Sequence, residues 1–76
     1  MKRVTALTIK HNFPENIHIQ GDQKESGGKW SCSVYLKKGN RIHTLLLTSK
    51  FVFEFRQVAE NHARTVCESI VNDKNL

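Results

Sequence analysis

"KWSCSVYLKKGNRIHTLLLT", residues 29–48, decides the fold. Two runs of β-branched, aromatic and aliphatic residues flank Gly39-Asn40, a pair that suits a type II′ turn with Gly39 taking the positive φ. A two-residue turn sets the pairing: Lys38 opposite Arg41, Leu36 opposite His43, Val34 opposite Leu45 and Cys32 opposite Leu47. Alternation then puts Trp30, Cys32, Val34, Leu36, Leu45 and Leu47 on a core face. The other face carries Ser31, Ser33, Tyr35, Lys37, Ile42, Thr44, Leu46 and Thr48.

On the N-terminal side, "RVTALTI" (3–9) is rich in β-branched residues and alternates roughly, which predicts a strand. "HNFPEN" (11–16) is turn chemistry around Pro14, and "NIHIQ" (16–20) predicts a short strand with Ile17 and Ile19 facing inward. "GDQKESGG" (21–28) is polar and without periodicity, and reads as a flexible loop. On the C-terminal side, residues 49–54 fit a strand or a helix start equally well. From Phe55 the pattern is helical: Phe55, Val58, Ala59, His62, Ala63, Val66 and Ile70 form one apolar stripe. Residues 72–76 form a polar tail. The expected architecture is α+β: a three- to four-stranded antiparallel meander with one C-terminal amphipathic helix packed on one face. Such a helix leaves the opposite face of the sheet uncovered.

With 76 residues the chain makes a single small domain, 1–76, whose core is necessarily thin. Cys32 and Cys67 have no Cys-x-x-Cys spacing, so reduced, packed thiols are expected, with no disulfide and no metal. No apolar run approaches a membrane span or a signal peptide, which points to a cytoplasmic protein, and Met1 reads as a natural start of a complete small one. The charge is unevenly distributed. Residues 1–50 hold nine Lys/Arg against three Asp/Glu, whereas residues 51–76 hold three against four, so the net +5 originates entirely in the first part.

No catalytic constellation is present: no phosphate loop, no nucleophile elbow, and acids (Glu54, Glu60, Glu68) on or beside the helix, where Arg64 pairs with the last two. The four histidines are scattered and define no metal site; no enzyme, cofactor or small-molecule substrate is expected. What remains is the outer sheet face. Lys29, Ser33, Tyr35, Lys37, Lys38 and Arg41 make a surface suited to nucleic acid, the cations on phosphates and Tyr35 as a stacking platform. The alternative is a protein contact or homodimer seam built on the apolar patch Tyr35, Ile42 and Leu46.

The outline from Trp30 through Val71, a strand pair followed by "F-x-x-x-x-x-A-E-x-x-A-x-x-V" on a helix, loosely resembles small sheet-plus-helix nucleic-acid binders. Among them are the arm-binding domain of tyrosine recombinases and the double-stranded-RNA-binding domain. In the former, the resemblance implies that the sheet face opposite the helix enters a DNA groove. The latter opens its last helix with a Lys-Lys pair, which this chain lacks, and needs a first helix where "RVTALTI" reads as a strand.

Overall fold

Ala6, Ile9 and Phe13 recur at steps of three and four, and in the computed structural model, which describes residues 3–76, that spacing prevails over the β-branched composition around it. The first element is a helix, α1 (Arg3–Asn12), in place of the predicted strand. Two side chains that favour non-helical backbone are accommodated within it: Thr8 Oγ1 donates to the Val4 carbonyl at 2.9 Å and Asn12 Nδ2 to the Thr8 carbonyl at 2.7 Å. Lys10 and His11 lie in the last turn, where the helix dipole favours positive charge. Ala6 and Ile9 are buried.

Three strands follow, β1 (Ile17–Gln23), β2 (Trp30–Lys38) and β3 (Arg41–Thr48), in one antiparallel sheet of order β1-β2-β3. The sheet is therefore three-stranded and the fold is α+β. β1 runs on to Gln23, three residues into the segment expected as a loop. Ile17 is buried and Ile19 packs against the core, the inward pair that the alternation required. At the β2–β3 turn Gly39 takes φ +61 while Asn40 keeps a negative φ, the pattern of a type II′ turn.

The tip register is the one the turn dictates, Lys38 opposite Arg41 and Lys37 opposite Ile42. It does not persist. Leu36 faces Thr44 and Tyr35 faces Leu45, so His43 is an extra residue; Val34 then faces Leu47, so Leu46 is a second one. These two bulges correct the predicted faces. Leu45 and not Leu46 shares the outer face with Tyr35, Thr44 pairs with inward Leu36, and Leu46 is half-buried and packs against the core. Ile42 and Thr48 keep the outer face and Leu47 the inner one.

The second helix, α2 (Arg56–Val71), begins after Phe55, as the periodicity indicates. It buries Ala59, Ala63, Cys67 and Ile70 in a core shared with Ile17, Cys32 and Val34 of the sheet and Ala6 and Ile9 of α1. The buried stripe is thus rotated from the predicted one. Cys67 belongs to it, while Phe55, Val58 and His62 are exposed along its flank. Residues 49–54 resolve into neither strand nor helix; Phe53 forms an isolated bridge with Trp30, with Trp30 N–H to Phe53 carbonyl at 2.7 Å and the reverse at 3.0 Å. Past α2 the tail folds back: Leu76 packs on the core, and Lys10 Nζ donates to the Asp73 and Leu76 carbonyl oxygens at 2.8 and 2.9 Å.

Candidate functional site

The outer face of the sheet is built by odd-numbered residues of β2. Ser31 and Ser33, on its central strand, are small and sit below their neighbours, so both are buried. Ser33 Oγ lies 3.2 Å from Thr48 Oγ1, and Ser31 Oγ donates to the Asp22 carbonyl at 3.5 Å. On β1 a polar chain runs along the same face: His18 Nε2 lies 3.2 Å from Gln20 Oε1, and Gln20 Nε2 donates to Asp22 Oδ1 at 2.8 Å. The base half of the face is therefore a self-satisfied polar floor. Ser33 offers no free hydroxyl, and Lys29 is paired with the Glu54 carboxylate.

The tip half differs. Tyr35 is half-buried, its ring tilted against His18 at a centroid distance of 6.0 Å. Leu45 lies directly opposite it and Ile42 opposite Lys37, and these two aliphatics are 51% and 50% exposed. Lys37 shares this face with them, Lys38 and Arg41 flank the turn at the hairpin tip, and none of the three has a carboxylate partner among the described residues. Of the six residues expected at a nucleic-acid surface, four thus gather at the hairpin tip. Of the three expected at a protein contact, Tyr35 and Ile42 remain, and Leu45 takes the place of Leu46. The bulge that makes this exchange left no mark in a run of three consecutive leucines.

A second feature lies on the helical side. An open cleft of about 190 Å³ separates α2 from β3, lined by Val34, Leu47, Ala63 and Val66, with Cys32 at its floor and Thr48, Ser49 and His62 at its rim. Phe51, Val52, Phe55 and Val58, in the segment leading into α2 and its first turn, are exposed. The His62 ring stacks obliquely on Phe53, centroids 5.1 Å apart.

Both cysteines are free and buried. Burial, the neighbouring Cys32 and the charge of Glu68, in that order, push the Cys67 thiol up to about 11, so it is an unreactive packed group at neutral pH. Among the described residues no three His, Cys, Asp or Glu side chains gather at metal-binding distance, and no helix is long and apolar enough to cross a membrane.

No family model matches the chain, and comparison with curated proteins and with solved structures finds no match.

Proposed function

We propose that this chain is a small non-catalytic binding module that docks a partner protein through the tip half of its outer sheet face. Tyr35, Ile42 and Leu45 form the apolar centre, and Lys37, Lys38 and Arg41 the charged rim. The observation that carries this reading is the pair of half-exposed aliphatics set against a tyrosine, Ile42 and Leu45 beside Tyr35. An apolar centre with an aromatic anchor and a cationic rim is the anatomy of a protein interface. Single exposed aliphatics need no explanation, but two on one face of a thin domain cost solubility without adding core.

A nucleic-acid partner is the second reading, favoured by the three cations at the tip that no carboxylate among the described residues neutralises. It would use Tyr35, Lys37, Lys38 and Arg41. Of the resemblances, the helix required at the start of the double-stranded-RNA-binding outline is present as α1, while α2 opens with Arg56-Gln57 in place of a Lys-Lys pair.

Two measurements separate the readings. A photo-reactive residue placed at Leu45 in cells should give one discrete covalent protein adduct, lost in Ile42→Ser, and absent when the probe is placed at exposed Val4. A mobility-shift assay with a mixed oligonucleotide pool should show no binding at physiological salt. If instead binding appears, falls steeply with salt and vanishes in Lys37→Glu/Lys38→Glu, the surface is a phosphate-binding one and the protein-docking reading fails.

A further inference from the structure

β3 is an outer strand of the sheet, and among the described residues its far edge has no partner strand. Such an edge presents a row of backbone donors and acceptors, which natural proteins usually cover or charge. Here it runs beside the apolar cleft, because α2 leaves part of the inner surface of β2 and β3 uncovered: Leu47, Thr48 and Ser49 line the cleft wall from the edge, and Ala63 and Val66 from the helix. A cavity of ~150 Å³ admits a benzene ring, so about 190 Å³ has room for one leucine or phenylalanine side chain. It is too small for a drug-sized ligand, which needs a cavity of roughly 300 Å³ or more.

The charge around the edge is one-sided. From Ser26 to Phe53 the chain has no Asp or Glu and five Lys/Arg. Arg41 stands at one end of the β3 edge and Lys50 just past the other, with His62 at the cleft mouth. The carboxylates nearest the start of α2 are accounted for: Glu60 within it by Arg56 and the Gly21 N–H, and Glu54 just before it by Lys29.

From this juxtaposition we infer a peptide-docking site distinct from the outer face. A short, extended, acidic segment of a partner protein adds to the β3 edge as a fourth strand and inserts one apolar side chain into the cleft between β3 and α2. Backbone pairing supplies affinity and the pocket supplies selectivity, the division of labour in strand addition. The bulges at His43 and Leu46 interrupt the edge toward the tip and β3 ends at Thr48, so the regular part available for pairing is Leu47–Thr48. The added segment is therefore only a few residues long and its affinity modest, with a Kd on the order of 10–100 µM for an isolated peptide.

The probe is a blocked, fluorescein-labelled heptapeptide of alternating glutamate and leucine. Its controls are the lysine-leucine counterpart and a version N-methylated at alternate backbone positions. Anisotropy should show saturable binding of the acidic peptide alone, and amide and methyl shifts should cluster at Val34, Leu47, Thr48, Ser49 and Val66. Val66→Phe fills the cleft and should weaken binding at least tenfold. His62→Glu, an exposed change that spares the fold, should do the same by charge repulsion at the mouth. Ile42→Ser/Leu45→Ser, on the outer face, should leave the affinity within twofold, which keeps this site's outcome separate from that of the proposed outer-face contact. Equal binding of the lysine peptide or of the N-methylated peptide overturns the inference, as do shifts confined to Tyr35 and Leu45. A protein that sediments as a dimer, and as a monomer once Val66 is Phe, would show a second copy occupying the edge and likewise overturn it.

Discussion

Ile9→Ala tests whether the first ten residues form a helix built into the core. Ile9 is fully buried on α1, in contact with a core that also holds Ala59, Ala63 and Cys67 of α2. Truncation removes three carbons from a site that cannot collapse freely, because α2 and the sheet hold its other walls. Buried Ile→Ala changes cost about 2–5 kcal/mol, the lost transfer energy plus the cavity left behind. Set against the roughly 4–11 kcal/mol expected for a domain of this length, that loss is a large share of the whole. It should lower the melting temperature by ~8–40 °C, at about 4–8 °C per kcal/mol for a small domain. The companion change is Val4→Ala, one turn earlier and 75% exposed. On a helix, alanine in place of an exposed valine should stabilise, by about 0.5 kcal/mol. On a strand the same change should destabilise. The two variants therefore predict opposite signs, read by urea unfolding followed by circular dichroism. An Ile9→Ala loss below about 1 kcal/mol, outside the range for buried truncations, or a destabilised Val4→Ala, would refute the placement of α1.

Two further perturbations address the core and the α2–β1 junction. Because the Cys67 thiol is raised from an ordinary 9.0 to about 11, the folded state favours the neutral form: its contribution is fully present below pH 9 and is lost as pH rises toward 11. Wild-type stability relative to Cys67→Ala should be constant from pH 6 to 9 and then fall by up to about 3 kcal/mol; a difference independent of pH would contradict the buried placement. A Cβ at Gly21 would lie 2.7 Å from Arg56 Cγ and 3.3 Å from Glu60 Cγ. Gly21→Ala should therefore destabilise by about 1–2 kcal/mol, in the range of overpacking changes, and adding Arg56→Ala should recover part of it, since the Arg56 side chain is the closer obstacle. Non-additivity of the two in thermal melts is the check.

The hairpin, β1 and α2 were legible because each rests on short-range rules: turn chemistry at Gly39, alternation at Ile17 and Ile19, and a three-four spacing from Ala59 to Ile70. α1 was not legible, since Val4, Thr5, Thr8 and Ile9 favour strands by composition. Their helix penalties, up to ~0.7 kcal/mol each, are smaller than the gain of burying Ile9, ~2 kcal/mol or more, and of packing Ala6 and Phe13 beside it. That gain depends on a partner helix fifty residues away. The bulges escaped for a related reason. With Leu45, Leu46 and Leu47 adjacent, either neighbour can serve as the inward residue, and the choice is made by what packs against the strand. The site inherited both errors: the patch shifted from Leu46 to Leu45, and the rotation of α2 that exposes His62 and leaves Val66 beside a cleft could not be read without knowing that α1 shares the core.

The Gly21 N–H, on the opposite edge strand β1, donates to Glu60 Oε2 at 3.2 Å, a carboxylate reaching down from α2. Its consequence concerns assembly. A sheet with two open edges can grow without limit, copy upon copy, as fibres do, whereas one whose second edge is stoppered by a side chain can be extended once. With its Gly21 N–H held by Glu60, the β1 edge takes a further strand at that position only by displacing the carboxylate. Removing that carboxylate, as in Glu60→Ala, frees the Gly21 donor for an incoming strand and should make association through the β1 edge easier.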